Sequence, residues 1–560
     1  MKIKIIFFII YLFIKDEIKN FISVCFLITL NTTRNKKFGD EKFDFFTKFQ
    51  KHSDNKKKIL ITTFLGIYDY LKYEYLIAIY LSNIKKQSIV VLLEEKDYFT
   101  KNFFLKKGIS NFIYYKKRAN FIKRIEYVVR AYNLINNIKS IRNFVNFKYE
   151  GLPTGKIIYS HVSRFTRTPT FEKVEYKFYN TLASYLHYAS EFKNILKGNK
   201  FEYFMQAETQ FIPPAIFMGY GLKKKIMMVS RIGNNKLISI RLTNNLKHFN
   251  ESRWKFSSEL FKRLKKTHKN KAIKKAKKIL VDRFVGKNNP DKEIDLEMIK
   301  LSKIKKIKIF EKFNKNFLCK KFNWNIQKPI GVIFANDLTD GLFTVKSGIY
   351  RDNYIWLEKV LKFISLNKNI NWIVKSHPSD LKNNGKLKTK DLFFSKKRPD
   401  HVKFYPENWG RKNLYKIVDI VFTNYGTAGY EYPSMGIPSV ISSEAHYSGL
   451  KIAYETRTEK ELYKTIINSH KIKKLSKLYK DNAQIFCYLE NIYTKVKLEL
   501  ATVDEYKSFG QSKNYWKKYK RTFKSSNVYK YNSLKNDVFY KSFKYQIDKK
   551  LKHTINLKII

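Results

Sequence analysis

Short apolar runs alternate with helical patterns in the first quarter of the chain. The runs lie at residues 58–63, 88–93 and 109–115, and helical patterns lie at residues 70–82 and 119–142. Buried strands that alternate with helices are typical of a parallel α/β sheet. This stretch therefore predicts a first α/β unit.

The same alternation returns after Pro329. The predicted elements are strands at residues 330–335, 372–375, 402–405, 420–423 and 439–442 and a helix at residues 354–366. Gly436 and Pro438 end the helix that precedes the last strand, as expected of a C-terminus. The chain is thus predicted to hold two doubly wound α/β units.

Changes of pattern divide the chain into five predicted segments. They are an apolar segment 1–30, a first Rossmann-like domain 31–250, a Lys-rich helical bridge 251–326, a second Rossmann-like domain 327–480 and a basic helical tail 481–560. A chain of this length is too long for one ordinary core, which favours two domains with additions.

The N-terminal segment contains two apolar runs, Ile3–Phe13 and Phe21–Leu30, separated by charged residues. Neither run reaches the roughly 20 residues of a membrane-spanning helix, and no clear cleavage site follows the first. A buried pair of elements, an interfacial anchor and a start upstream of the true domain all fit these runs. We expect a peripheral segment on the inner face of the cytoplasmic membrane, because a basic surface adheres to anionic lipid.

The composition is strongly basic, with 112 Lys and Arg, 47 Asp and Glu and a net charge of +65 over 560 residues. Hydrophobic residues make up 44% of the chain, which excludes global disorder. A positive field favours anionic partners, but Lys, Ile, Asn, Phe and Tyr are enriched along the whole chain, which favours a compositional bias. No zinc finger, RNP motif or Walker loop occurs, so no specific nucleic-acid partner is predicted.

The three cysteines, Cys25, Cys319 and Cys487, have no CxxC or paired spacing. A disulfide scaffold and a cysteine-based zinc site are therefore not expected. This usage favours a reducing, cytoplasmic compartment.

Ligands of an open parallel sheet bind beyond the carboxyl ends of its strands, and one predicted strand end carries Lys375-Ser376-His377-Pro378. A histidine there can donate a hydrogen bond to a phosphate oxygen, and Pro378 fixes the turn that aims it. Taken alone, His377 also fits a structural role.

A second strand end is followed by Gly426-Thr427-Ala428-Gly429-Tyr430-Glu431, about fifty residues further on. The glycines allow close backbone approach, and a helix that begins near Thr427 offers N–H groups and a positive dipole end to a phosphate. Glu431, one turn into that helix, can accept hydrogen bonds from ribose hydroxyls. Together the two segments predict one nucleotide-phosphate site.

From Pro329 to about Tyr463 the chain resembles the nucleotide-binding half of bacterial capsule and surface-polysaccharide glycosyltransferases. The matching pieces are Phe334-Ala335-Asn336-Asp337, Trp356-Leu357, Lys375-Ser376-His377-Pro378, Gly426-Thr427-Ala428-Gly429-Tyr430-Glu431, Gly436-Ile437-Pro438 and His446-Tyr447-Ser448-Gly449. The resemblance implies the GT-B fold: two Rossmann-like doubly wound domains facing a cleft, here with extra helices.

The His-Pro piece resembles that of polysialyltransferases, capsule Kdo transferases and teichoic-acid-type polyol-phosphate transferases. In those families it meets the phosphate of a cytidine-nucleotide donor. The resemblance implies a nucleotide-sugar donor held by residues 375–378 and 426–431, a polysaccharide or glycolipid acceptor, and no cofactor besides the donor, which is a substrate.

The first half resembles the same proteins in Tyr149 to Tyr159, Arg164, Gln206-Ala207-Glu208-Thr209 and Leu280 to Gly286. The resemblance thus covers roughly residues 145–465. His161 and Ser163 depart from it, because a more acidic turn is expected there, and the long basic tail is unfamiliar.

For catalysis, a general base on the first domain would deprotonate the acceptor hydroxyl. Glu208 is the first candidate and Asp69, in the loop after the first strand, the second; Glu208 also fits an ordinary acid at a helix start. Arg164 is predicted to bind an anionic acceptor or donor carboxylate, or to form a surface ion pair. His377 and the helix end would steady the leaving phosphate, and because no Asp-x-Asp triplet occurs, no metal site is predicted.

Two other function classes use the same features. A CDP-polyol phosphotransferase would bind at the same His-Pro site and make a phosphodiester. A non-catalytic protein with a decayed scaffold would bind membrane or carbohydrate and turn over no nucleotide sugar. An epimerase is the weaker alternative, since no second set of His and acidic residues stands out.

Overall fold

The computed structural model describes residues 57–559 and Tyr11. Left out within that range are residues 65–67, 233–236, 251–254, 286–312, 341–347, 382–386 and 499–536 and the single positions 106, 139, 207, 257, 408, 410 and 473. Apart from Tyr11, the predicted apolar segment 1–30 lies outside the described residues.

The strands are β1 (Lys58–Thr62), β2 (Ile89–Glu94), β3 (Phe112–Tyr115), β4 (Phe201–Met205), β5 (Met227–Ile232), β6 (Leu237–Thr243), β7 (Ile330–Phe334), β8 (Asn371–Lys375), β9 (Val402–Phe404), β10 (Ile420–Thr423), β11 (Ser439–Ile441), β12 (Tyr454–Glu455) and β13 (Val496–Lys497).

The helices are α1 (Tyr68–Lys85), α2 (Tyr98–Leu105), α3 (Phe121–Ile135), α4 (Ile141–Val145), α5 (Thr154–Thr166), α6 (Tyr176–Gly198), α7 (Pro214–Lys223), α8 (Ser258–Val285), α9 (Lys315–Phe322), α10 (Asn353–Leu366), α11 (Thr389–Phe394), α12 (Ala428–Ser434), α13 (Glu459–Ile467), α14 (Lys477–Tyr488) and α15 (Val538–Asp548). Short 3-10 turns lie at Leu246–Asn250, Pro378–Leu381, Arg411–Lys416 and Ser469–Lys471, and a π-helical turn lies at Leu489–Tyr493.

The first sheet has the order β13-β6-β5-β4-β1-β2-β3. Its strands β1 to β5 pair in parallel, whereas β6 runs antiparallel to β5, and β13 runs antiparallel to β6. The order 3-2-1-4-5 is that of a Rossmann sheet, and the order reverses direction between β1 and β4.

The second sheet has the order β12-β11-β10-β7-β8-β9, and all its strands are parallel. Numbered within this sheet, the order is 3-2-1-4-5-6, the complete doubly wound arrangement. Its switch point lies between β7 and β10. The α/β class with two Rossmann-like sheets, predicted from the alternating runs, is confirmed.

The strands are continuous apolar runs in the sequence because both faces of each sheet are buried. Ile59, Leu60 and Ile61 of β1 are all fully buried, because helices cover both sides of a parallel sheet. In the second sheet, Trp372 of β8 packs so closely on β7 that a Cβ at Gly331 would lie 2.4 Å from its ring. A glycine at that position is therefore required by packing.

Some predicted limits differ from the observed ones for local reasons. The predicted strand 109–115 begins only at Phe112, since Ile109 lies in a turn where its N–H donates to Phe104 O. The predicted helix 119–142 is two helices, α3 and α4, and the side chain of Ser140 caps the second by accepting from Asn143 N.

The described parts of residues 481–560 are built into both domains. Strand β13 extends the first sheet, and Phe539 and Phe543 of α15 are fully buried against it. Tyr80 of α1 donates a hydrogen bond to Asp537 at 2.5 Å. Ile555 is fully buried in the core of the second domain. These residues thus add to both cores, and the five-segment division itself stays a prediction.

No helix within the described ranges is both long and apolar enough to cross a membrane.

We predict that Phe543→Ala lowers the free energy of unfolding of the first domain by about 3–5 kcal/mol, the usual cost of deleting a fully buried ring. Lys541→Ala, an exposed position of the same helix, is the control. Urea titration followed by far-UV circular dichroism measures both. Equal effects of the two substitutions would contradict the placement of α15 in the core.

Candidate functional site

The loops at the carboxyl edge of the second sheet carry buried polar side chains. Asn336 and Asp337 follow β7 and are 8% and 7% exposed, and Asn424 follows β10 and is 4% exposed. Since β7 and β10 flank the switch point, these side chains lie where open α/β sheets bind ligands.

A chain of hydrogen bonds fixes these loops to one another. Asn353, the first residue of α10, donates to Asp337 O at 2.7 Å and to the Tyr425 hydroxyl at 2.9 Å. Asn424 donates to Asn353 Oδ1 at 2.9 Å, and Ser443 donates to Asn424 Oδ1 at 2.7 Å. Loops from three strands are thus held by buried amides, which gives a rigid, preorganised edge.

The predicted His-Pro segment follows β8, the strand next to β7. Lys375 ends the strand with its ammonium 5.4 Å from the centre of the Tyr405 ring. Ser376 is 9% exposed, and His377 and Pro378 are half-buried. The segment therefore lies at the same edge as the 426–431 turn, about 10 Å away because one strand separates β8 from β10.

Asp380 closes the turn that begins at Pro378. Its N–H donates to His377 O at 3.0 Å, and its carboxylate accepts from Thr389 N at 3.1 Å. Burial raises the pKa of Asp380 to about 6, and the charge of Asp337 adds to the rise, although the bonds from Thr389 oppose it. A carboxyl group with a raised pKa thus lies in the turn that follows His377.

The turn after β10 is packed closely. Gly426 N donates to Thr423 Oγ1 at 3.2 Å, and Tyr447 donates its hydroxyl hydrogen to Gly426 O at 2.7 Å. A Cβ at Gly429 would lie 1.8 Å from the Tyr447 oxygen, so a glycine is required here. Thr427 is exposed, which leaves its side chain accessible at this edge.

The rest of the predicted 426–431 segment forms α12, which is seven residues long and begins at Ala428. Glu431 is 3% exposed, so its carboxyl group lies inside the domain. The N–H of Glu431 donates to Thr427 O at 3.0 Å.

Arg164 of α5 reaches across to the second domain. Its Nη1 lies 3.5 Å from Asp337 Oδ2, while Asp337 Oδ1 accepts from Thr339 N at 2.9 Å. Arg164 is about one-third exposed and Asp337 is buried. The predicted acceptor-side arginine and the predicted donor edge are therefore in contact.

A second contact joins the domains at Asp352. Its Oδ2 accepts from Tyr159 at 2.6 Å and from Thr170 at 2.8 Å, and its Oδ1 accepts from Ile355 N at 2.8 Å and so caps α10. One buried carboxylate thus starts the helix that carries Asn353 and also binds the first domain.

Glu208 lies in the loop after β4, at the carboxyl edge of the first sheet. Its Oε1 accepts from the N–H groups of Thr209 and Gln210 at 2.7 and 2.8 Å. Gln206 donates to the Glu208 and Pro214 carbonyls, both at 2.8 Å, and holds the loop against α7. The carboxylate is therefore fixed in position.

His161 lies on α5, the helix that also carries Arg164, and it contacts the loop after β4 that contains Glu208. Its Nδ1 accepts from Ile212 N at 3.3 Å, and its ring lies 4.3 Å from that of Phe165. Burial lowers the pKa of His161 to about 4, so the ring is neutral near pH 7. Because Nδ1 accepts, Nε2 carries the hydrogen and can only donate.

Asp69, the second candidate base, lies in the first turn of α1, and its side chain is outside the described part of the chain. The structure thus brings together residues 375–378, the 426–429 turn and, through Asp337, Arg164. Glu208 lies on the opposing domain, linked through His161 to the same helix as Arg164.

Sequence reasoning gave no role to Asp337, Asp352, Asn353 or Asn424. The signal for Asp337 and Asn424 was present, since Asn424 directly follows the predicted strand 420–423 and Asp337 lies two residues after the predicted strand 330–335. Asp352 and Asn353 carried only the signature of a helix start.

No protein-family model and no curated protein matches the sequence. Among solved structures, the KpsC β-Kdo 2,4-transferase of Thermosulfurimonas dismutans is 10% identical over 52% of this chain and 85% of its own, with a TM-score of 0.30. A glycosyltransferase of Rickettsia africae ESF-5 is 12% identical over 78% and 94%, with a TM-score of 0.27. Anabaena HepE in complex with UDP is 10% identical over 77% and 95%, with a TM-score of 0.25. The strand orders of the two sheets define the fold as two Rossmann-like α/β domains.

We predict that Asp380→Asn stabilises the second domain at pH 7.5 and stabilises it clearly less at pH 4.5, because the loss begins near the ordinary pKa of 3.8. The pKa of Asp380 is raised, so its protonated form is favoured in the folded state, and stability present at low pH is lost as pH rises through about 6. The gain is at most about 3 kcal/mol. Urea unfolding at both pH values measures it, with Asp400→Asn as the exposed control. A gain at pH 4.5 equal to that at pH 7.5 would contradict the assignment.

We also predict that Gly429→Ala destabilises the second domain by about 1–3 kcal/mol, because the new methyl group overlaps the Tyr447 hydroxyl. Gly198→Ala is the matched control, since a Cβ there meets no atom within 4 Å. Thermal unfolding compares the two. A loss no larger than that of the control would show that the 426–429 turn is not closely packed.

Proposed function

We propose that this chain is a glycosyltransferase of the two-Rossmann-domain, GT-B kind. One observation carries the proposal: Arg164 of the first domain contacts Asp337 at the switch-point edge of the second. Two carboxyl edges that face each other provide one site for a donor and one for an acceptor.

The donor would bind at the second edge. In the proposed complex, Ser376 and His377 donate to the phosphate oxygens, Pro378 and Asp380 hold His377 in place, and Thr427 adds a hydroxyl from the other side. Support comes from the closeness of the two segments and from the rigidity of the buried amide chain. Fixed donors of this kind stabilise a departing phosphate without reorganisation.

The acceptor would bind at the first edge. Glu208 is the proposed base that removes the proton from the acceptor hydroxyl, whose oxygen then bonds to the anomeric carbon of the sugar. The bond from that carbon to the phosphate oxygen breaks, and the nucleotide leaves with the electron pair. His161 is excluded as the base because its accepting nitrogen is already engaged by Ile212 N.

The finer assignments follow the resemblance of the His-Pro segment. We propose a cytidine nucleotide as donor, a surface polysaccharide or glycolipid as acceptor, no metal requirement, and a peripheral site of action at the cytoplasmic membrane. A CDP-polyol phosphotransferase would bind the same nucleotides, and product analysis distinguishes it by a phosphodiester in place of a glycosidic bond.

We predict that the protein binds CMP or CDP more tightly than UDP or GDP, and that His377→Ala weakens this binding roughly tenfold or more, as expected for a lost bond to a charged phosphate. Isothermal titration calorimetry measures the affinities. His401→Ala is the matched control, because His401 lies at the opposite edge of the same sheet, where its Nε2–H donates to Ile364 O at 3.1 Å.

Three results would revise the proposal. Preference for UDP or GDP would keep the transferase and discard the cytidine donor. Equal binding by wild type and His377→Ala would remove His377 from the phosphate site. Failure to bind any of the four nucleotides would overturn the enzyme and favour a carbohydrate- or membrane-binding protein.

A further inference from the structure

Two apolar side chains at the start of α3 lie largely at the surface. Ile122 is 79% exposed and Phe121 is 48% exposed, whereas the buried side chains of this helix begin at Val128. The Asn120 side chain fixes the first turn by accepting from Lys123 N at 2.9 Å. The fold thus holds Phe121 and Ile122 in a defined position without using them to fill a core.

Cationic residues flank this apolar pair, called the apolar tip below, on both sides in the sequence, and all but the half-buried Arg124 are exposed. The sequence from 116 to 124, KKRANFIKR, contains five Lys or Arg and no acidic residue. Three carboxylates lie nearby: Glu126 is exposed on the same helix, Lys117 lies 3.4 Å from Glu94, and Glu191 accepts from the backbone N of Lys116 at 3.2 Å. An exposed apolar pair within a basic rim matches an anionic bilayer, where the rim binds headgroups and the pair enters the interface.

The tip lies at the edge of the first sheet that faces the proposed acceptor site. Residues 116–120 follow the carboxyl end of β3, just as the Glu208 loop follows that of β4. The order β4-β1-β2-β3 places the two strand ends about 14 Å apart. Tyr98, at the start of α2 after β2, is 60% exposed at the same edge.

We propose that Phe121, Ile122 and the cations of residues 116–124 form a docking surface for an anionic lipid bilayer. Bound in this way, the membrane lies beside the acceptor edge, so that a lipid-linked acceptor reaches Glu208 from the bilayer. This last consequence rests on the proposed function, whereas the docking itself does not. Nucleic acid is the less suitable partner, because an exposed isoleucine contributes nothing to binding a phosphate backbone.

The test is co-flotation of the full chain with phosphatidylcholine vesicles that contain or lack phosphatidylglycerol. The double variant Phe121→Ser/Ile122→Ser is compared with Leu366→Ser/Leu478→Ser, which removes two exposed leucines from the second domain. Neither pair changes the net charge. We expect the first pair to lower partitioning onto phosphatidylglycerol vesicles roughly tenfold or more, and the second to leave it within about twofold.

A charge series tests the basic rim. Lys116→Glu/Lys123→Glu is compared with Lys396→Glu/Lys397→Glu, which makes the same charge change on the other domain at exposed positions. A larger loss for the first pair supports docking through the rim. Equal losses for both charge pairs, or equal partitioning of both serine pairs, would overturn the proposal and leave only general adhesion of a basic protein.

Nucleotide affinity separates this proposal from the proposed function. The Phe121→Ser/Ile122→Ser variant is expected to bind nucleotide as wild type does, which also shows that it folds. Vesicle binding that depends on the tip in a protein that binds no nucleotide would overturn the transferase alone. If the protein binds nucleotide and the Phe121→Ser/Ile122→Ser variant binds vesicles as wild type does, the docking surface alone is overturned.

Discussion

All strands of the second sheet run in one direction, and each must therefore be followed by a crossover that starts at the same edge. That constraint gathers the loops after β7, β8, β10 and β11 into a single row. Polar residues in those loops meet although they are far apart in the sequence. The buried bonds among Asn353, Asn424 and Ser443 exist because the parallel pairing places them side by side.

The two domains contact each other at the carboxyl edge of the second sheet, through the carboxylates of Asp337 and Asp352. Asp352 accepts hydrogen bonds from Tyr159 and Thr170 of the first domain while it caps the helix that begins at Asn353. Removing a buried carboxylate with several partners costs more than one bond, because each donor is left unsatisfied. The orientation of the donor edge and the contact between the domains therefore depend on the same side chain.

Much of the fold could be predicted, because a strand that is buried on both faces of its sheet is a continuous apolar run in the sequence. Strand β10 lies at the predicted residues 420–423, and the predicted segments after β8 and β10 share an edge. The contacts between domains could not be predicted, since the bond from Tyr159 to Asp352 spans 193 residues and neither residue stands out in its own segment. The sequence predicts only that the tail, residues 481–560, is basic and helical. The spacing of Phe539 and Phe543 predicts a buried helix face but does not indicate which domain that face packs against.

The return of the C-terminal residues to the first sheet has a consequence for biosynthesis. The N-terminal domain of a multidomain chain usually folds first as it leaves the ribosome. Here the first domain lacks strand β13 and helix α15 until the second sheet has been synthesised, because strands β7 to β12 all precede them in the chain. The edge of β6 stays unpaired during that interval, and an unpaired edge recruits other chains. The first domain is thus the later of the two to be protected from aggregation during synthesis.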